Sequence, residues 1–363
     1  IEAPAPVTSI NEKNLFAIDN TAIGAVSSMY IFLGAKDIQN YFLYGGLLAD
    51  ELQLYAGSGD KMLYYQNALT STTDTNPWQV LYAGIFSANA SFAGISESNT
   101  LTPAVKQQLL GEVKFMRAYF YFYLTNLYGD VPLALTTDPE VNRLLFRSPK
   151  AAVYAQIEQD LIEAQRLLSR NFLSGGLVTT SADRVRPTYW AATALLARVY
   201  LYEKKYQEAI TQASVVISNT AQFSLPTLGN VFKMNSAETI FSLIPVSGGP
   251  PNNTPEGTNF ILQSSGPTSG SPYLNNYVLS AFEPGDARKT SWIGSVSVGV
   301  NSYSYAYKYK ADKFQTALTE YQIVLRLGEQ YLIRAEAEAR LGNVASAADD
   351  LNVIRTRARA AAT

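Results

Sequence analysis

The 363-residue chain contains neither cysteine nor histidine. Their absence removes thiol nucleophiles, Ser-His-Asp triads, imidazole bases and the usual zinc sites together. Without cysteine there is no disulfide framework, so the redox compartment cannot be read. Charge is scarce, at 16% of residues, and balanced, with 28 basic against 30 acidic side chains and a net charge of −2. No basic run or basic helix face stands out. Nucleic acid is not expected as a partner, because phosphate binding needs a positive footprint. No segment is apolar for long enough to cross a bilayer; the greasiest stretch, 113–128, contains Lys114 and Arg117 and follows Glu112. EF-hand, phosphate-loop and dinucleotide signatures are missing too, so no metal and no cofactor is expected. No signal-peptide pattern is seen either, and Ile1-Glu2-Ala3-Pro4 reads as the start of a mature or trimmed chain.

What the chain does have is a globular balance, with 47% hydrophobic residues, and a surplus of tyrosine (24) over phenylalanine (16). Tyrosine offers an apolar body and a polar tip, which suits either wet binding surfaces or a helix core. The sequence "VKFMRAYFYFYLTNLYGDVPL", 113–133, sets seven aromatic residues within sixteen positions and then stops at Gly129-Asp130-Val131-Pro132. Val113, Met116, Phe120, Tyr123 and Leu127 form one helical seam; Phe115, Tyr119 and Phe122 form another. Two seams predict a helix packed on two sides. Arg117 lies among them and needs a carboxylate partner, with Asp130 and Glu112 as candidates.

Other helices are marked by their starts. Helical pattern begins near Asn11, and 20–34 has Asn20 as a cap and Gly34 as a stop. Residues 41–65 read as a helix broken by loops. Pro77 fits a first helical turn, Thr102-Pro103, Ser148-Pro149 and Pro187 each open a helix, and a further helix runs from Tyr206 to Ser218. Residues 245–272 are rich in Gly and Pro and predict an irregular loop region. "SYAYKYK", 304–310, alternates as a short strand does, and helical pattern resumes near Arg326.

Two stretches repeat one plan: "ALLARVYLYEKKYQEAITQAS" (194–214) and "LIRAEAEARLGNVASAADDLN" (332–352). Aligned without gaps, Ala197 meets Ala335, Lys204 meets Gly342, Tyr206 meets Val344 and Ala209 meets Ala347. Small residues let the two helices of a hairpin approach, and a bulky residue fills the groove. That is the tetratricopeptide plan, in which hairpins stack because none buries its faces alone. Residues 107–168 and the N-terminal helices would add further, weaker hairpins. The fold class expected is mostly α: tetratricopeptide-like hairpins at 11–231 and 320–363 form a curved scaffold in one domain, and a loop-rich insert at 232–319 carries short strands.

On four of its stretches the chain resembles the SusD/RagB family of outer-membrane nutrient-binding lipoproteins. They are 113–133, "NPWQVLYAGIFSANASF" (76–92), "LRLGEQYLIRAEAEARLGNVASAADDLNVIRTRA" (325–358), and "AFEPGDARKTSWI" (281–293) before the Lys308-Tyr309 strand end. Their order is the family's, and they span nearly the whole chain. The resemblance implies capture of an oligomeric nutrient, most often a glycan, for delivery to a SusC-like TonB-dependent transporter. It implies a cell-surface lipoprotein held in the outer membrane by a cysteine that this chain lacks. Family members usually continue past the Arg-Thr-Arg helix with a segment rich in Glu-Arg and aromatic residues. Two rivals are a peptide-binding member of the same family and a helical-repeat protein–protein adaptor without a small ligand.

Sugar rings stack their flat apolar faces on aromatic side chains, and their hydroxyls need Asp, Asn, Arg and Tyr partners. Two loop regions offer both. One holds Asp50, Tyr55, Asp60, Tyr64 and Tyr65. The other holds Tyr273, Asn275, Asn276, Tyr277, Trp292, Tyr303 and Tyr305. Trp292, flanked by Ser, Ile and Gly, is the leading stacking candidate, whereas Trp78 at a helix start reads as core. A glycosidase would need two carboxylates about 5–10 Å apart across a cleft. Asp50-Glu51 and Asp349-Asp350 are instead sequence neighbours that point in different directions, and no enzyme activity is expected.

Overall fold

A computed structural model describes residues 15–33, 43–57, 59–70, 73, 76–245, 254–312, 314–315 and 317–359. Among these, eight helices run twelve residues or longer. They are α1 (Asp19–Leu33), α2 (Asn76–Glu97), α3 (Pro103–Tyr128), α4 (Lys150–Leu167), α5 (Tyr189–Tyr202), α6 (Tyr206–Ile217), α7 (Leu327–Arg340) and α8 (Val344–Arg359). The strands are short: β1 (Leu52–Tyr55), β2 (Val131–Pro132), β3 (Arg147–Ser148), β4 (Thr239–Leu243), β5 (Ser271–Leu274), β6 (Ile293–Val298), β7 (Asn301–Ala306) and β8 (Gln322–Arg326). They pair only two by two, each pair antiparallel. The mostly α class is therefore observed. The expected helix start near Asn11 and the stop at Gly34 lie outside the described residues.

The aromatic helix α3 is the axis of the molecule. It packs between α2 and α4 and also touches α1 and α5. Every residue from Gly111 to Phe122 is buried. Pro103 fits the first turn, where its missing N–H costs nothing, and the helix stops at Gly129. Both expected seams are buried as far as Phe122, with the residues between them covered as well, but the first seam fails at its end, where Tyr123 is half-buried and Leu127 is 47% exposed.

Three charged side chains share this buried segment, and each has partners. The Glu112 carboxylate accepts from the Tyr30 hydroxyl at 2.7 Å, Arg186 at 2.8 Å and Gln108 at 3.0 Å. Lys114 donates to Glu163 at 2.7 Å and lies over the Phe92 ring. Arg117 holds Asp160 through Nε at 2.8 Å and Nη2 at 2.7 Å, and its Nη1 donates to Asn89 at 2.9 Å. Arg117 thus pairs with Asp160 of α4, correcting the expected Asp130 or Glu112. Asp130 instead accepts from the Lys150 amide at the start of α4.

The internal repeat is real in three dimensions. Hairpins α5–α6 and α7–α8 pack with α6 against α7. Both turns use the same bonds: Lys205 N–H to Tyr200 and Lys204 N–H to Leu201 in one, Asn343 N–H to Glu338 and Gly342 N–H to Ala339 in the other. The aligned pair Lys204 and Gly342 both adopt positive φ, +62° and +87°. Only the second uses glycine, which takes that conformation without strain. Ala197, Ala335, Ala209 and Ala347 are buried at the helix contacts. Arg334 reaches across the second hairpin to Asp350 in two bonds of 2.7 Å.

Strands β4 and β8 pair beside this stack, and Phe241 meets the edge of Phe115 at a ring distance of 5.4 Å. Glu238, fully buried, gathers Arg326, Arg357 and the Gly328 amide, tying the start of α7 to α8. Strands β2 and β3 pair between α3 and α4, whereas β5, β6 and β7 lie in the insert, which recruits the 43–65 region: β1 pairs with β5 across more than two hundred residues. The expected strand at 304–310 falls at 301–306, as the second arm of the β6–β7 hairpin. Two small apolar clusters hold this part together, one around Leu43, Leu47, Leu52 and Leu54, the other around Leu228, Val231, Phe232, Trp292 and Tyr309.

Glu256, in a short helix of the insert, accepts from Gln322 at 3.0 Å, and its second carboxylate oxygen is shielded without a partner. Burial raises its pKa to about 7.

Two predictions follow from this packing. Asp160→Ala leaves Arg117 and Lys114 short of a counter-charge in the core, so it should cost about 3–5 kcal/mol in urea unfolding; a loss under about 1 kcal/mol would contradict the role given to the pair. The folded chain keeps the Glu256 proton that the unfolded chain releases near 4.5. Its contribution is greatest below that pH, falls as pH rises towards about 7, and is level above. Glu256→Gln should therefore gain on the parent protein between pH 5 and 8 by about 1–3 kcal/mol. Parallel stability curves for the two proteins across that window would refute it.

Candidate functional site

The residues singled out from the sequence separate into three groups in space. The first is brought together by strand alternation. On β1, Leu52 and Leu54 are buried, while Gln53 and Tyr55 take the other face. The β1–β5 register sets Gln53 opposite Tyr273 and Leu52 opposite Leu274, so Tyr273 shares the face of Tyr55. Tyr303 of β7 joins them. Its ring meets Tyr55 edge-on at 5.6 Å and Tyr273 edge-on at 5.4 Å. Tyr55 is 39% exposed, so one member of the trio keeps a free surface.

Tyr305 extends the patch. It lies across β6 at Gly294, where an added Cβ would meet its ring at 2.4 Å, so only glycine lets the ring lie flat there. Its other neighbour is Tyr307 at 5.7 Å. Burial, together with the hydroxyls of Tyr65, Tyr303 and Tyr55, raises the pKa of Tyr273; burial and Tyr307 do the same for Tyr305. Both phenols stay neutral at physiological pH and can donate as well as accept.

The second group is exposed but separate. Tyr277 is 62% exposed on the short helix after β5, with Asn276 beside it. Asn275 caps that helix, accepting from the Tyr277 amide at 3.2 Å. Asp50 is exposed in the turn before β1 with a φ of +58°.

The third group serves the fold. Trp292 was expected to offer a free stacking face, and the structure corrects this. It is 9% exposed, its ring packs against Phe232 at 5.4 Å, and its indole N–H donates to the Leu228 carbonyl. The reason is local: Asp286 caps the helix Ala287–Trp292, accepting from the Arg288 amide and pairing with its guanidinium, and this turns the indole onto 228–232. Tyr64 stacks face to face on Tyr44 at 4.1 Å. Trp78 is half-buried against Tyr82 and Tyr128.

Sequence reasoning missed the cavities, among them three assembled from distant segments. A cleft of about 420 Å³ has the Arg198–Glu329 ion pair beside Tyr123 and Tyr202. A groove of about 330 Å³ lies along Trp78, Tyr82 and Phe86. A cavity of about 410 Å³ sits inside the insert, with Trp292 in its wall. Among the described residues no group of three acidic side chains could hold a metal ion, and no helix is long and apolar enough to cross a membrane.

Residues 37–201 match the SusD-like family model described as "Starch-binding associating with outer membrane", and residues 257–363 match the SusD/RagB model described as "SusD family". Together the matches span roughly three quarters of the chain. Two SusD-like proteins of Formosa agariphila are 29% and 31% identical over 179 and 167 residues. The aligned parts cover 48% and 44% of this chain but only 32% and 30% of those relatives. Among solved structures, a SusD superfamily protein from Bacteroides thetaiotaomicron superposes with a TM-score of 0.82 at 22% identity, over 94% of this chain and 81% of that one. A SusD-like carbohydrate binding protein from Bacteroides vulgatus superposes with a TM-score of 0.74 at 19% identity, over 95% and 76%. On the family matches, the order of its helices and this shared fold, the chain belongs to the SusD/RagB family.

Proposed function

We propose that the chain binds a glycan on the tyrosine face formed by β1, β5 and β7. The observation that carries this reading is the contact of Tyr55, Tyr273 and Tyr303, three rings from three distant segments gathered on one strand face with Tyr55 still open. A ring face takes the apolar face of a sugar, and neutral phenols bond its hydroxyls. Tyr305 widens the platform, and Tyr277, Asn276 and Asp50 stand near the ends of the same strands in sequence. The names of the relatives agree in kind: the matched family is described as starch-binding, and one structural neighbour is a SusD-like carbohydrate binding protein.

The reading extends to capture without covalent chemistry. Asp350, one of the adjacent acids considered above, is committed to Arg334. By family membership the proposed setting is the outer membrane at the cell surface, with a lipid anchor and a TonB-dependent transporter that receives the ligand.

Calorimetric titration with soluble oligosaccharides, and with a peptide mixture beside them, tests it. One glycan class should bind, and Tyr55→Ala and Tyr303→Ala should each weaken it at least five-fold, or about 1 kcal/mol. Trp292→Ala should instead lower stability, by about 3–5 kcal/mol. Binding of peptides alone, or of a glycan indifferent to both tyrosine substitutions, would overturn the assignment.

A further inference from the structure

The cavity inside the insert has a composition that the tyrosine face lacks. Its volume is about 410 Å³, in the range of small-molecule pockets. It lies on the opposite side of the β1–β5 pair from Tyr55 and Tyr273, because Leu52 and Leu274, paired in register, line it. Ile293 and Ala306, paired across the β6–β7 hairpin, line it as well. Phe232 and Trp292 supply an aromatic wall, and Phe260 adds a third ring. This lining is mostly apolar, as required to hold a hydrocarbon body.

One cation interrupts it. The Lys308 ammonium stands 5.8 Å from the ring centres of both Phe232 and Trp292. The two arginines whose charges act on Lys308 are already paired, Arg326 with Glu238 and Arg288 with Asp286. Lys308 has no ion pair and no hydrogen bond among the described residues. Lys308 is an exposed residue, as Glu51 is, and solvent reaches it at the mouth of the cavity, while the surrounding walls still desolvate the ammonium enough to lower its pKa. Apart from the two ring faces, no group among the described residues meets its three donors, and a ligand carboxylate would do so.

Two carboxylates border the same space and must be weighed. Glu51 is exposed, where water screens it. Glu256 keeps one oxygen on Gln322 and the other shielded, and burial holds it partly protonated at neutral pH. Neither pairs with Lys308.

We propose that this cavity is a second ligand site, separate from the tyrosine face, for a small monocarboxylic acid. The aryl or alkyl body fills the apolar walls, and the carboxylate accepts from the Lys308 ammonium. The site stands independently of the glycan reading, since it uses the other side of the strands.

The test is titration of the full chain, by calorimetry and ligand-observed NMR, with phenylacetate and octanoate. Phenylacetamide serves as the neutral analogue and glucuronate as a polar acid. The acids should bind with dissociation constants below a millimolar. Phenylacetamide should bind at least ten-fold more weakly. Lys308→Met should lose the preference for acid over amide. Val278→Trp, which fills the cavity from its rim, should abolish binding of both, and circular dichroism should show each variant folded. Tyr55→Ala should leave acid binding unchanged, which separates failure here from failure of the glycan site. The proposal is overturned if neither acid binds the folded parent protein, if acid and amide bind alike, if Lys308→Met keeps the preference, or if glucuronate binds and the apolar acids do not.

Discussion

The double hydrogen bond between Arg117 and Asp160 is the interaction on which the rest of the structure depends. It lies in the centre of a helix covered on all sides, where an unpaired charge would cost several kcal/mol. Arg117 also reaches Asn89, so one guanidinium fixes α3 against both α2 and α4. Five residues earlier on α3, Glu112 does the same towards α1 and the strand-free segment before α5, through Tyr30 and Arg186. Apolar packing alone tolerates sliding of one helix along another. Directional bonds to buried charges do not, because a shift of one turn leaves each of them unpaired.

From that fixed axis the insert can be built of weak parts. None of its strand pairs belongs to a larger sheet, and a lone two-stranded pair is marginal in water. Each pair gains stability by leaning on a small apolar cluster: β1 and β5 on the leucines around Leu47, the β6–β7 hairpin on its neighbour β5 and on the helix that ends at Trp292. Strand alternation then divides the residues of the insert cleanly. Tyrosines take one side and leucines the other, which yields an exposed aromatic face and a partly open apolar cavity from the same few strands.

The long helices were legible in the sequence because their signals are local. Apolar spacing, a proline at or just before the helix start and the glycine after Tyr128 need no knowledge of the rest of the chain; Pro149 proves to be the cap of α4, and Pro187 precedes α5 by two residues. The repeat was legible for the same reason, down to the aligned Lys204 and Gly342 that both carry positive φ. What failed was long-range. Glu112 lies five residues before Arg117, and residues five apart sit on different sides of a helix; Asp160 lies 43 residues beyond it, on another helix. Trp292 looked exposed from its loop-like sequence setting, yet it closes a short helix capped by Asp286 that carries the indole onto 228–232. The tyrosines of the proposed site were named individually from composition. Their meeting was not readable, since β1 and β5 are joined only in the folded chain.

Hydrogen exchange with and without a bound oligosaccharide is the most direct test of the central claim, that a fixed helical axis presents a ligand on the strand face. The account predicts added protection at 52–55, 271–274 and 301–306, with the amides of α3 equally protected in both states. Protection gained instead along α5 and α7, at the cleft beside Arg198 and Glu329, would contradict it.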